Sequence, residues 1–181
     1  MRPRPLPALI LALATVWTGS GAALAWDPDP ESKAERRAAA AVERFRKQPR
    51  TEHYFENAHS YAVLHSVGRL SLGFGGAYGR GFVFEQDRPT GTTRFWQLSS
   101  GIQAGGRYFS MIIFFKDEEA LEYYKLGKFE LMGTAGFSLA TLGASKDPAY
   151  HKGVAIFSNT KFGLMVEAAV AGAKFTYKPL E

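Results

Sequence analysis

A chain of 181 residues, 46% hydrophobic and 14% aromatic, has the length and apolar content for one domain with a real core and is short for two. With 22% charged residues it lacks the composition of a disordered segment, and its formal net charge of +5 is mild. The absence of cysteine excludes a disulfide framework, a catalytic thiol, a thiolate metal site and acylation of a lipobox cysteine.

Met1 to Arg4 is basic, Leu6 to Trp17 is apolar, and Ala23-Leu24-Ala25 is an A-x-A signal, so residues 1–25 read as a secretory signal peptide cut before Trp26. The apolar run is short of the roughly 20 residues that a spanning helix needs. An uncleaved anchor is the alternative; the cleaved form would be an exported protein without a lipid anchor. Residues 26–50 then form a basic segment. Lys33 to Arg50 carries seven Lys and Arg against Glu35 and Glu43, whereas the chain from Thr51 on has thirteen basic and twelve acidic residues. Ser32 or Asp29 can cap a helix over Glu31 to Gln48 that Pro49 ends, with Ala38, Ala41, Val42 and Phe45 on one face and Arg36, Arg37, Arg44 and Lys47 around the others. Such a helix suits an anionic membrane surface, or packs its small apolar face on the rest of the domain.

Residues 51–181 read as a β-rich domain. A short helix is expected over Thr51 to His59, with Tyr54, Phe55 and Ala58 inward. Strands are expected over Tyr61 to Ser66, Leu70 to Phe74, Gly79 to Glu85, Thr93 to Gln103 and Tyr108 to Phe115, with a turn at Asp87 to Gly91. Met111 to Phe115 has no polar face and so belongs in a strand covered on both sides. Lys116 to Lys125 is a helix with acids in its first turn, stopped at Gly127. Phe129 to Ala144, Lys152 to Phe157 and Leu164 to Tyr177 complete about eight strands, the last two joined by a turn at Asn159 to Gly163. Without β-α-β alternation, the expected class is α+β: a curved or barrel-like antiparallel sheet with a basic N-terminal amphipathic helix and two short covering helices.

The glycine-dense stretches Gly68 to Phe84 and Ser99 to Tyr108 mark tight corners, since apolar and aromatic residues are interleaved with the glycines. They do not make a nucleotide site. Gly73-Phe74-Gly75-Gly76-Ala77-Tyr78 has tyrosine in place of the third glycine and runs into a strand, and no P-loop occurs. His53, His59, His65 and His151 lack metal-ligand spacing and read as surface or capping residues, and no G-x-S-x-G elbow is present. Glu167, an acid in an apolar strand, calls for a basic partner or a functional role. No acid, base and nucleophile come together, so no enzyme, cofactor or metal is expected. Basic and aromatic residues meet at Tyr78-Gly79-Arg80, Arg94-Phe95-Trp96 and Arg107-Tyr108. Export argues against nucleic acid as their partner. Arg80 and Arg107 can instead fork a phosphate head group, or lie over an aromatic ring.

The blocks Tyr61-Ala62-Val63-Leu64-His65-Ser66-Val67-Gly68, Gly75-Gly76-Ala77-Tyr78-Gly79-Arg80-Gly81, Gly101-Ile102-Gln103-Ala104-Gly105-Gly106, Ile112-Ile113-Phe114-Phe115 and Tyr150-His151-Lys152-Gly153-Val154-Ala155-Ile156-Phe157 resemble, in that order, the SYLF lipid-binding domain. Gly163 to Ala168 and Lys174 to Pro179 look like its C-terminal end, so the likeness runs from about Phe55 to Pro179. The resemblance implies a phospholipid-binding domain, helped in eukaryotic relatives by an N-terminal amphipathic helix. Some of those relatives bind actin, which an exported chain meets only inside a host. Gly143 to Ala149 is short for the family's glycine- and alanine-rich insert, and the lipobox cysteine of many bacterial relatives is missing. The expected function is non-enzymatic binding of anionic phospholipid surfaces in the cell envelope, through Arg36, Arg37, Arg44, Lys47, Arg80 and Arg107. The alternatives are a periplasmic structural or protein-interaction scaffold, and an enzyme built on Glu167 and His151.

Overall fold

The computed structural model describes residues 26–128, 130–132, 140–141, 150 and 153–180, by backbone alone along 101–103, 130–132, 140–141 and 161–172. The expected signal peptide, most of the expected strand over Phe129 to Ala144, the Gly143 to Ala149 stretch and His151 lie outside the described residues. Three helices, α1 (Lys33–Arg46), α2 (Pro49–Asn57) and α3 (Glu118–Lys125), accompany five strands: β1 (Ser60–Glu85), β2 (Arg88–Phe115), β3 (Glu130–Met132), β4 (Ala140–Thr141) and β5 (Val154–Pro179). The sheet order is β1-β2-β5-β3, with β4 paired to β5. All pairings are antiparallel except the two-residue β4–β5 contact, so the α+β class holds.

The short strands expected from the sequence are fused. Strands of 26 and 28 residues far exceed the usual 3–10. The breaks that glycine suggested at Ser66–Leu70 and Phe74–Gly79 are bulges and bends within β1, with register shifts at Leu64/Val67 and Leu72/Phe74. Asn159 to Gly163 is likewise no turn but part of β5. The one tight turn here is at Gln86–Asp87, both with positive φ, and Pro89 to Gly91 already belong to β2. The sheet is not closed. Among the described residues β1 is hydrogen-bonded to β2 alone, so curvature stands and the barrel does not.

Curvature is forced by contacts along β1 itself. A Cβ on Gly81 would collide with the Val63 carbonyl, and one on Gly79 would lie 2.7 Å from Val67 Cγ2 and 3.2 Å from Leu64 Cδ2. In a straight strand Val63 and Gly81 would stand ~60 Å apart at about 3.3 Å per residue. β1 therefore folds back so that its last third lies against its first, carrying β2 and β5 with it through continuous pairing. Glycine is needed at 79 and 81 because two backbones meet there.

The fold encloses one core and covers another. Ala62, Leu64 and Val67 from one arm meet Ala77, Val83, Phe95 and Phe175 from the other, together with Met111, Ile113, Phe115 and Ile156. α3 plugs this core with Ala120, Leu121 and Tyr124. Asp117 caps α3, accepting from the Ala120 amide at 2.9 Å, and the buried Tyr124 hydroxyl lies 2.6 Å from Thr93 Oγ1. Lys125 then ties the helix to the end of β1, 3.0 Å from both Glu85 and Glu122. The alternate residues Tyr61, Val63, Ile112, Phe114, Ala155 and Phe157 face the second core, under α1 and α2. Met111 to Phe115 is thus covered on both sides, as expected.

Ser32 caps α1, with its hydroxyl accepting from the Glu35 amide at 3.3 Å. α1 ends at Arg46, and Pro49 opens α2 rather than merely stopping α1, a position its missing N–H suits. The helix corner is tied to the β1–β2 turn: Asp87 pairs with Arg46 and accepts from the Tyr61 hydroxyl at 2.7 Å. Ala38, Ala41, Val42 and Phe45 are fully buried against the sheet. The amphipathic helix packs on its own domain, and no apolar face remains on it for a membrane.

Two stability measurements check this architecture by chemical denaturation. Gly81→Ala should cost about 3 kcal/mol or more, because a backbone carbonyl cannot yield, while Gly76→Ala, whose Cβ would meet only Gln97 O at 3.8 Å, should stay within about 0.5 kcal/mol. Phe45→Ala should cost about 3–5 kcal/mol, as for any filled core site; a cost near zero would mean that α1 does not dock in solution.

Candidate functional site at the bend of the sheet

Where β1 turns back on itself its side-chain pattern is inverted. Val67 points into the core, and alternation puts Arg69, Ser71, Gly73, Gly75, Ala77, Gly79 and Gly81 on the same concave side. Gly68, Leu70, Leu72, Phe74, Gly76, Tyr78 and Arg80 occupy the convex side. Leu70 is 75% exposed, Leu72 84% and Phe74 82%. On β2 Leu98 is 65% exposed and lies in register with Gly76, and the half-exposed Trp96 lies opposite Tyr78. Meanwhile Arg69, Ser71, Gln97 and Ser99 are buried at 5–8% exposure. A water-facing antiparallel sheet buries its apolar side and exposes its polar one. Apolar outside and polar inside is the arrangement of strands that face lipid.

The inversion follows from the sharpness of the bend. Gly73 has φ +71°, and β2 places residues 101–103 opposite it, between the Leu72–Ala104 and Phe74–Ser100 pairs. A Cβ on Gly75 would run into Ser71 Oγ and come within 2.9 Å of Ser99 Oγ. Small residues must fill the inside of so tight a corner, which leaves the bulky ones outside.

Two arginines occupy the concave side. Arg69 and Arg107 are directly opposite in the β1–β2 register, an arrangement that is unfavourable for like charges. Arg69 Nη2 donates to Ser99 Oγ at 3.3 Å. The Arg107 guanidinium lies 5.3 Å from the centre of the Phe109 ring. Arg107 Nε, Ser71 Oγ and Gln97 Oε1 are buried without a hydrogen-bond partner among the described residues.

The sequence-derived basic residues separate into three places. Arg36, Arg37, Arg44 and Lys47 are exposed on α1. Arg80 is exposed on the convex side of β1, opposite Arg94. Arg107 is on the concave side, so Arg80 and Arg107 do not fork one head group together. Leu70, Leu72, Phe74, Leu98 and Arg69 were not singled out from the sequence. The signal for them was the alternation itself: Arg69 and Ser71 run in phase with Val67, and Leu70 and Leu72 run out of phase with it.

Of the remaining candidates, His53, His59 and His65 lie outside the bend between Arg69 and Ala77. The His53 ring lies tilted against Tyr54, 4.0 Å between ring centres, and His59 is exposed. His65 is neither a surface nor a capping residue, since it is buried beside Phe82. The backbone of Glu167 pairs with Gln103, and its side chain lies outside the described residues. Among the described residues no three His, Asp or Glu side chains are grouped as metal ligands, and no helix is long and apolar enough to cross a membrane.

No family model matches this chain, and no solved structure matches it. It is similar to Beta cell expansion factor A of Aeromonas veronii, at 26% identity over 139 residues, which cover 75% of this chain and 52% of that protein. The chain thus spans about half the length of the curated relative it matches.

Proposed function

We propose that this protein is an exported, non-enzymatic member of the SYLF lipid-binding family that attaches to anionic phospholipid surfaces by its convex bend. One observation carries the reading: Leu70, Leu72, Phe74 and Leu98 are exposed together on a side of the sheet whose opposite side is polar. The ordered sequence blocks and the distant similarity to Beta cell expansion factor A support the family, and the A-x-A signal supports export.

The magnitudes rank the contributions. Burying a large apolar side chain is worth roughly 1.5–3 kcal/mol, and a Lys or Arg near an anionic surface about 1 kcal/mol. The apolar bend is therefore the anchor. Arg80 and Arg94 beside it supply electrostatic attraction, as do Arg36, Arg37, Arg44 and Lys47 wherever α1 approaches the surface. This reverses the sequence-based emphasis, in which the helix led.

Co-sedimentation with vesicles of zwitterionic lipid, alone or mixed with phosphatidylglycerol, tests the reading. Leu72→Ser combined with Phe74→Ser should weaken binding at least about 100-fold, since two apolar anchors are lost. Arg80→Gln combined with Arg94→Gln should weaken it roughly 10-fold or more, only on vesicles that contain phosphatidylglycerol, and high salt should mimic that loss. Unchanged binding by the serine double variant would remove the bend as anchor. No vesicle binding by the wild type would leave the protein-interaction scaffold as the function.

A further inference from the structure

The convex side is graded along its strands as well as apolar at its tip. Nearest the apex at Gly73 stand Leu70, Leu72, Phe74 and Leu98, and none of the described convex side chains from Gly68 to Gly76, nor of their β2 partners, is charged. Gly68 lies five residues before the apex and Tyr78 five after it. Tyr108 is opposite Gly68, with its ring 3.3 Å from where a Cβ of that glycine would be, and Trp96 is opposite Tyr78. Half-exposed aromatic residues therefore stand at matching distances along both arms. One step beyond Tyr78 and Trp96, Arg80 faces Arg94. Hydrocarbon, then Trp and Tyr, then Arg is the order met on leaving a lipid leaflet, because amphipathic rings collect at the interface and cations at the phosphates. On the inner side, the Ser71 and Ser99 hydroxyls fill the corner at Gly75, so the tip is solid and its inner polar side chains are enclosed.

We propose that the bend enters a bilayer tip first and stops within one leaflet, with Tyr78, Trp96 and Tyr108 as a girdle at the interface and Arg80 with Arg94 at the level of the phosphates. Five strand residues reach at most ~17 Å, and the hydrocarbon of one leaflet is ~15 Å deep. The tip can fill one leaflet and cannot cross the other. Lys174, opposite Trp96 on β5, stands in the girdle row, a place that suits a long cationic side chain. A sheet lying flat on the surface would instead hold the apolar, aromatic and arginine rows at one depth. The inference rests on the membrane reading above and adds to it the direction and depth of insertion.

The test uses the absence of cysteine, which lets single cysteines carry a fluorescent label without background. Ser100→Cys lies opposite Phe74 at the tip, Thr176→Cys opposite Arg94 in the arginine row, and Glu119→Cys on the exposed side of α3, so every anchor is kept. Each labelled full chain is bound to phosphatidylcholine and phosphatidylglycerol vesicles that carry either acyl-chain bromines or head-group nitroxides. The label at position 100 should be quenched at least threefold more by the bromines than by the nitroxides, the label at 176 should show the reverse, and the label at 119 should be quenched by neither. Tyr78→Ala combined with Trp96→Ala should weaken binding at least tenfold, with and without phosphatidylglycerol, because the girdle does not act through charge. Equal depth of positions 100 and 176 on bound vesicles would overturn tip-first entry and leave the membrane reading standing. Quenching of position 100 by nitroxides confined to the far leaflet would overturn the one-leaflet depth, and unchanged binding by the alanine double variant would overturn the girdle. Failure of the unlabelled wild type to bind vesicles would remove the membrane reading and this inference together.

Discussion

The structure depends on one close approach, that of Gly79 and Gly81 to the Val63–Val67 segment of the same strand. Long antiparallel strands left straight would present a flat ribbon with both faces wet, and no core. Folding the ribbon on itself brings Ala62 and Leu64 opposite Val83 and Phe175, and so creates an interior from a single sheet. Backbone must lie on backbone where the arms cross, and only glycine permits it. α3 fills the interior, and α1 with α2 covers the outer face of one arm.

That crossing has a price at the opposite end of the molecule. The bend that lets the arms meet is too sharp for large side chains on its inner surface, so Gly73, Gly75 and Ala77 line it there and Leu70, Leu72 and Phe74 project outward. An exposed apolar ridge in a water-soluble state is unfavourable, and proteins that keep one generally use it for contact. Arg80 and Arg94 flank this ridge, and among the described residues the concave side behind it carries Arg69, Arg107, Ser71 and Ser99. Structure and candidate activity therefore derive from the same geometric necessity.

Of the two roles its sequence allows the basic helix, the structure shows its apolar face packed on its own domain. The four apolar residues of its buried face, Ala38, Ala41, Val42 and Phe45, lie in the second core with Tyr61, Val63, Phe84 and Phe114. Arg46, beside that face, is drawn into the Asp87 and Tyr61 cluster, where burial and the bond to Asp87 push the Tyr61 phenol well above its ordinary range. Glu85 near the same turn is held below the usual carboxylate range: burial opposes this, but hydrogen bonds from Lys125 and Thr90 prevail. Its contribution is present at neutral pH and fades as pH falls through the carboxylate range, and at a half-exposed site it is small.

By itself the sequence determined the α+β class, the approximate positions of the three described helices, and the doubly covered strand Met111 to Phe115. These follow from local chemistry: Ser32 as a candidate cap, 3.6-residue spacing in α1, acids in the first turn of α3, and an apolar run with no polar face. It also put Arg107 and the glycine-rich corners forward as candidate functional ground. Only the tertiary structure decided that the expected short strands are two-armed long ones, that the sheet stays open, and that α1 spends its apolar face internally. Strand continuity across a glycine depends on pairing with a neighbour, which β2 supplies: the glycines mark the irregularity, and only the pairing makes it a bulge rather than a break. The pairing of Arg69 with Arg107 depends on register in the same way, because residues 38 positions apart become neighbours only when two bulges shift the alignment between β1 and β2.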